Sequence, residues 1–102
     1  MATILEEVLE EEYARSLRSS RALEAEIEQL PKGYLRIRYI NGHKHHYLQW
    51  RDGNKVRSKY IPEKDADALQ QQIEMRHRHL QALKDQKEAR RMIVRALGRE
   101  PS

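Results

Sequence analysis

Cysteine and phenylalanine are both absent from this chain, and tryptophan occurs once. The first absence excludes disulfides, thiolate zinc sites and cysteine nucleophiles, and it fits a reducing compartment. The second leaves one Trp and five Tyr to supply aromatic bulk in a sequence of 38% apolar and 35% charged residues, so the buried core has to be thin. No apolar run approaches the roughly 20 residues that span a bilayer. The opening residues Met1-Ala2-Thr3-Ile4-Leu5-Glu6-Glu7 carry neither the basic segment nor the apolar stretch of a secretory signal. A cytoplasmic protein with no membrane partner is expected, and 102 residues suffice for a single domain covering 1–102.

Acids are also scarce in one particular place. The formal charge of +4, from 20 Lys and Arg against 16 Asp and Glu, is a mild bias that identifies no partner by itself. Its distribution says more: residues 1–30 hold eight acids and three bases, whereas 31–61 hold one acid and eight bases. The positive field therefore concentrates in the middle of the chain.

Four glycines and three prolines punctuate the elements. From Thr3 to Leu30, the apolar residues Leu5, Leu9, Tyr13, Leu17, Leu23, Ile27 and Leu30 recur at mostly helical spacing, which predicts an amphipathic helix over 3–30. Pro31, Lys32 and Gly33 stop it, since proline cannot continue the hydrogen-bond ladder. Over 34–61 the period changes to two, interrupted at Asn41-Gly42 and at Asp52-Gly53-Asn54, which predicts a three-stranded antiparallel meander. Asn41-Gly42 suits a two-residue hairpin pairing Arg38 with His45 and Arg36 with Tyr47. At the second turn a three-residue loop, Asp52-Gly53-Asn54, is expected to pair Trp50 with Val56 and Tyr47 with Lys59, because a two-residue loop would set Trp50 opposite a charge.

A second helix is predicted over 63–97. It opens on Glu63, Asp65 and Asp67, which complement the positive end of its dipole, and it stops at Gly98. Its stripe of Ala66, Leu69, Ile73, Leu80, Leu83, Val94 and Leu97 is heptad-like but interrupted by Arg76, Lys87 and Arg90. The fold class is α+β: long helix, three-stranded meander, long helix, with the helices forming an antiparallel or coiled-coil hairpin. The same stripe also suits a homodimer through the helices. In an antiparallel hairpin, Glu6, Glu7, Glu10, Glu11 and Glu12 are expected beside Lys84, Lys87, Arg90 and Arg91, though exposed pairs contribute only about 0 to 1 kcal/mol each.

With these registers one sheet face presents Leu35, Ile37, His46, Leu48, Trp50, Val56, Ser58 and Tyr60 toward a helix. The other presents Tyr34, Arg36, Arg38, His45, Tyr47, Gln49, Arg57 and Lys59. Arg and Lys neutralise phosphates, Arg forks onto guanine edges, and Tyr or Gln stack on or hydrogen-bond to bases. The bland alternative is a solvated outer face, but such a face usually mixes signs and this one is nearly free of acids. Arg36, Arg38, Tyr47, Gln49, Arg57 and Lys59 are the candidate nucleic-acid-binding residues, with DNA favoured over RNA.

The order Gly33-Tyr34-Leu35-Arg36-Ile37-Arg38, Asn41-Gly42, Tyr47-Leu48-Gln49-Trp50-Arg51, Asp52-Gly53-Asn54-Lys55, Arg57-Ser58-Lys59-Tyr60-Ile61 and then a helix resembles the three-stranded arm-binding domains at the N-termini of phage and transposon tyrosine recombinases. The resemblance covers about Leu30 to Leu80 and rests on short motifs. It implies a sheet that docks in the DNA major groove, with the same six residues facing the duplex. The stretch from Tyr47 to Ile61 is also similar to small uncharacterised proteins of bacteria and mobile elements. The acidic first helix is no part of the arm-binding pattern, and the sequence stops where a recombinase catalytic domain would begin, so recombination is not expected. A freestanding phage-type protein of this size could regulate DNA transactions, or could block a host defence nuclease complex as anti-CRISPR proteins do; on that alternative the partner is a nucleic-acid-binding protein complex.

Other signals point nowhere. His43, His45 and His46 cluster, but His45 and His46 alternate between faces and Lys44 repels a cation, so no metal site is expected. His77 and His79 lie about 200° apart around a helix and cannot chelate together. No Ser-His-Asp set, phosphate-cradling glycine loop or carboxylate pair can be assembled, so neither an enzyme nor a cofactor is expected. The bases Arg76, Arg78, Lys84, Lys87, Arg90, Arg91, Arg95 and Arg99 suit a solvated or Glu-paired helix face better than an extended phosphate footprint.

Overall fold

The computed structural model describes residues 3–98. Its order is α1 (Ile4–Glu28), β1 (Tyr34–Ile40), β2 (His43–Asp52), β3 (Lys55–Ile61) and α2 (Glu63–Ala96), so the fold is α+β with a three-stranded antiparallel sheet in the order β1-β2-β3. Each end of α1 has a local cause. Thr3 caps it by accepting from the Glu6 N–H through Oγ1 at 3.1 Å, and the Thr3/Glu6 spacing is that of a capping box. Pro31 follows its last turn. Among the described residues no helix is long and apolar enough to cross a membrane.

The chain gathers into two compact units that share α2: one holds the residues up to Glu28 with those from Arg78 onward, the other Gln29–His77. In the helical unit, α1 and the second half of α2 run antiparallel. Among the shielded positions of α1, Leu9, Tyr13, Ser16, Ser20, Leu23 and Ile27 lie alternately four and three residues apart as a heptad requires, with Leu17 and Ser19 half-buried beside them. Two of the six are serines, which the apolar pattern alone passes over, and they are among the most buried residues of the helix.

Those serines receive Arg90. Its Nη1 donates to Ser20 Oγ at 2.6 Å, to Ser16 Oγ at 3.0 Å and to the Ser16 carbonyl at 3.2 Å, while Ser16 Oγ donates to Gln86 Oε1 at 2.6 Å. Short side chains on α1 leave room for the long arginine stem, which buries its methylenes while its head finds oxygens. The expected meeting of Arg90 with the N-terminal glutamates is thereby corrected: Arg90 sits against neutral serines. Glu12 pairs within α1 with Arg15 at 3.1 Å, and Arg91 within α2 with Glu88 at 3.7 Å. Across the helices, His79 Nε2 meets Glu26 Oε2 at 2.9 Å.

In the sheet unit the first hairpin has the expected register, with Arg36 opposite Tyr47 and Arg38 opposite His45, around an Asn41-Gly42 turn in which both residues have positive φ. The second hairpin departs from expectation by one residue. Asp52 pairs with Lys55, Trp50 with Arg57, Leu48 with Lys59 and Tyr47 with Tyr60, so the turn is the two-residue Gly53-Asn54. Gly53 has φ of 63° while Asn54 stays in the ordinary region, and glycine in the first central position is what a type II′ hairpin turn demands. The charge opposite Trp50 is accommodated because Arg57 turns along the sheet and its Nε donates to Asp52 Oδ2 at 2.6 Å.

A one-residue slip exchanges the faces of the whole strand. One face therefore carries Leu35, Ile37, Tyr39, Lys44, His46, Leu48, Trp50, Asp52, Lys55, Arg57, Lys59 and Ile61. Its His46 and Ile61 are buried, as are Ala66 and Ile73 on one stripe of α2, with Ile73 the most deeply enclosed residue of the chain among those described. Leu48 and Trp50 are half-buried rather than enclosed.

Candidate nucleic-acid interface

The opposite face is where the sequence placed function, and its composition changes with the register. β1 supplies Tyr34, Arg36, Arg38 and Ile40; β2 supplies His43, His45, Tyr47, Gln49 and Arg51; β3 supplies Val56, Ser58 and Tyr60. Of the six candidate residues, Arg36, Arg38, Tyr47 and Gln49 come together here. Arg57 and Lys59 do not: they project from the other face, and Arg57 is already engaged by Asp52. Arg51 and Tyr60 also belong to this face: Arg51 follows from alternation with Tyr47 and Gln49 along β2, and Tyr60 from the observed register. The Gly53-Asn54 order was the signal that would have found Tyr60, since glycine first and asparagine second favours a two-residue turn.

Arginine and tyrosine are interleaved on this surface. The Arg38 guanidinium lies 5.3 Å from the centre of the Tyr47 ring, and that of Arg36 lies 5.6 Å from the centre of Tyr34. Tyr47 meets Tyr60 edge to face at 5.8 Å, His45 tilts against Tyr60 at 6.2 Å, and Tyr34 reaches His77 at 5.5 Å. An exposed cation–π contact contributes about 0.5–1 kcal/mol and an aromatic pair about 0.5–1.5 kcal/mol, enough to bias rotamers without fixing the fold. Guanidiniums held in this way lose less freedom when they engage a ligand than arginines waving in solvent.

The face carries three arginines and no Asp or Glu on any strand. Asp52, the acid of the sheet, points the other way and spends itself on Arg57. Arg36 and Arg38 are solvent-exposed, whereas Tyr47 and Gln49 are half-buried between the outer strands. Chemically such a surface carries the groups that pair with anions and stack on flat rings. Among the described residues no three His, Cys, Asp or Glu gather as metal ligands. His43 and His45 share the arginine face, while His46 is buried on the opposite one.

A family profile described as "Domain of unknown function (DUF6788)" matches residues 5–71, more than half of the chain, from the first turn of α1 through the sheet into α2. The chain belongs to this family. The matched span takes in every residue of the arginine face. No curated protein and no solved structure matches the chain. The likeness to recombinase arm-binding domains accordingly rests on the residues quoted for it.

Proposed function

We propose that this protein binds nucleic acid, DNA in the first place, on the sheet face that carries Arg36, Arg38, Arg51, Tyr34, Tyr47, Tyr60 and Gln49. The observation that supports this reading is the coincidence of three arginines, three tyrosines and no acid on one side of a three-stranded sheet. A face selected for solubility alone mixes charges of both signs. Arginine serves phosphates and guanine edges through its planar fork, and tyrosine and glutamine complete a surface able to touch bases. The acids of the N-terminal part are concentrated in α1, with five glutamates between Glu6 and Glu12, and leave this sheet face to the bases.

Salt dependence tests the proposal. Affinity for a labelled oligonucleotide, measured by fluorescence anisotropy over a series of KCl concentrations, should fall linearly on a log–log plot. If each of the three arginines meets one phosphate, the slope should be about −2 to −3, from roughly 0.7 per phosphate on a single strand to 0.9 on a duplex. The Arg57→Ala, Lys59→Ala double variant should keep that slope, because both side chains lie on the other face. An affinity that ignores salt, or no affinity at all, would leave the arginine face without its proposed ligand.

A further inference from the structure

We infer that the strand bound by this face is single-stranded DNA whose bases lie on the tyrosines, rather than a duplex entered through its groove; the inference rests on the proposed function above and specifies its ligand. In a duplex the base faces are stacked against one another and only base edges are presented. Aromatic rings on a protein surface then have nothing to stack on. In a single strand every base offers a free π-face, and stacking on aromatic side chains supplies much of the binding.

The tyrosines are arranged for the second case. Tyr60 pairs with Tyr47 across β2 and β3, and Tyr34 lies on β1 one diagonal step from Tyr47, beside Gln49. The three rings form a track running across the strands, on the order of 12 Å between the outer two by strand spacing and rise. The outer rings are open, with Tyr34 58% and Tyr60 52% exposed. Tyr47, between them, is buttressed by the Arg38 guanidinium and the edge contact with Tyr60. The Arg36 and Arg38 guanidiniums lie over the Tyr34 and Tyr47 rings rather than standing out from the sheet, so a base that takes their place on a ring leaves the cation beside its own phosphate. Side chains that read a groove must instead extend into it.

The test uses the full chain and three ligands of one sequence, each of about 12 nucleotides, within the range of site sizes for sheet-based single-strand binders. They are a single DNA strand, its duplex, and a strand of the same phosphate number with abasic sugars. At equal salt the single strand should bind at least 10-fold more tightly than either of the others. Tyr60→Leu, at a half-exposed site, should weaken single-strand binding about 10-fold with an unchanged far-UV circular dichroism spectrum. A duplex bound as tightly as the single strand would overturn the inference and leave the proposed function standing. An abasic strand bound as tightly, or a Tyr60→Leu variant bound like the parent, would also overturn it. Failure to bind any of the three would remove the proposed function itself.

Discussion

Replacing Arg36 and Arg38 together by alanine is expected to weaken oligonucleotide binding by about 10- to 100-fold, as follows from roughly 1 to 3 kcal/mol for a good arginine contact. Both side chains are exposed and lie against the rings of Tyr34 and Tyr47, so the fold should survive. The stability cost should stay near the two cation–π contacts, about 1–2 kcal/mol in all. The double lysine variant separates charge from shape. Lysine keeps the charge but loses the planar fork and its fit on a ring, so it should recover only part of the affinity. Full recovery by lysine would make the face a bare electrostatic patch, and an unaffected alanine variant would exclude it from binding.

The largest effect on stability is expected at Gly33, immediately before β1. Its φ of 102° lies where side-chain-bearing residues are rarely found, and an added Cβ would run into the Gln49 carbonyl oxygen while standing 3.0 Å from Trp50 Cβ. The backbone strain alone costs on the order of 1–3 kcal/mol. Relieving the overlap requires the start of β1 to move off β2, at the row where Tyr34 pairs with Gln49. Gly33→Ala should therefore lower stability by about 3 kcal/mol or more, a drop in Tm of at least about 12 °C for a chain of this size. Gly42→Ala is the comparison: φ is also positive, 79°, but nothing stands within 4 Å of the added Cβ, so the loss should be clearly smaller. Equal melting of Gly33→Ala and the parent would show that β1 does not begin against Gln49.

Much of this architecture was legible from residue order. The helix boundaries near Pro31 and Gly98, the Asn41-Gly42 hairpin and the pairing of Arg36 with Tyr47 follow from period and turn chemistry, which act locally. The β2–β3 register departs from expectation because a backbone requirement, glycine at the first position of a tight turn, outweighs the side-chain preference that keeps Trp50 away from a charge. The observed pairing shows how the backbone prevails: Gly53 closes the tight turn, and the charge opposite Trp50 is taken up by the Arg57–Asp52 hydrogen bond. The expected register set Arg57 and Lys59 on the wrong face and hid Tyr60, while leaving Arg36, Arg38, Tyr47 and Gln49 together. The helix hairpin was obscured differently. Ser16, Ser20 and Arg90 are polar and break an apolar heptad in the sequence, yet two serines facing one arginine make a satisfied polar layer, visible only once both helices are in place.

A nuclear magnetic resonance titration of the full chain with a DNA strand locates the ligand on or off the arginine–tyrosine face. The Arg Nε–Hε and tyrosine ring signals give a probe at each side chain. With the ligand on that face, Arg36, Arg38 and Arg51 and the rings of Tyr34, Tyr47 and Tyr60 should shift together along one saturable curve, while Arg57, the Trp50 indole and Arg90 hold their positions. Shifts centred on Arg57, Trp50 or Arg90, with the six face residues unmoved, would contradict that placement.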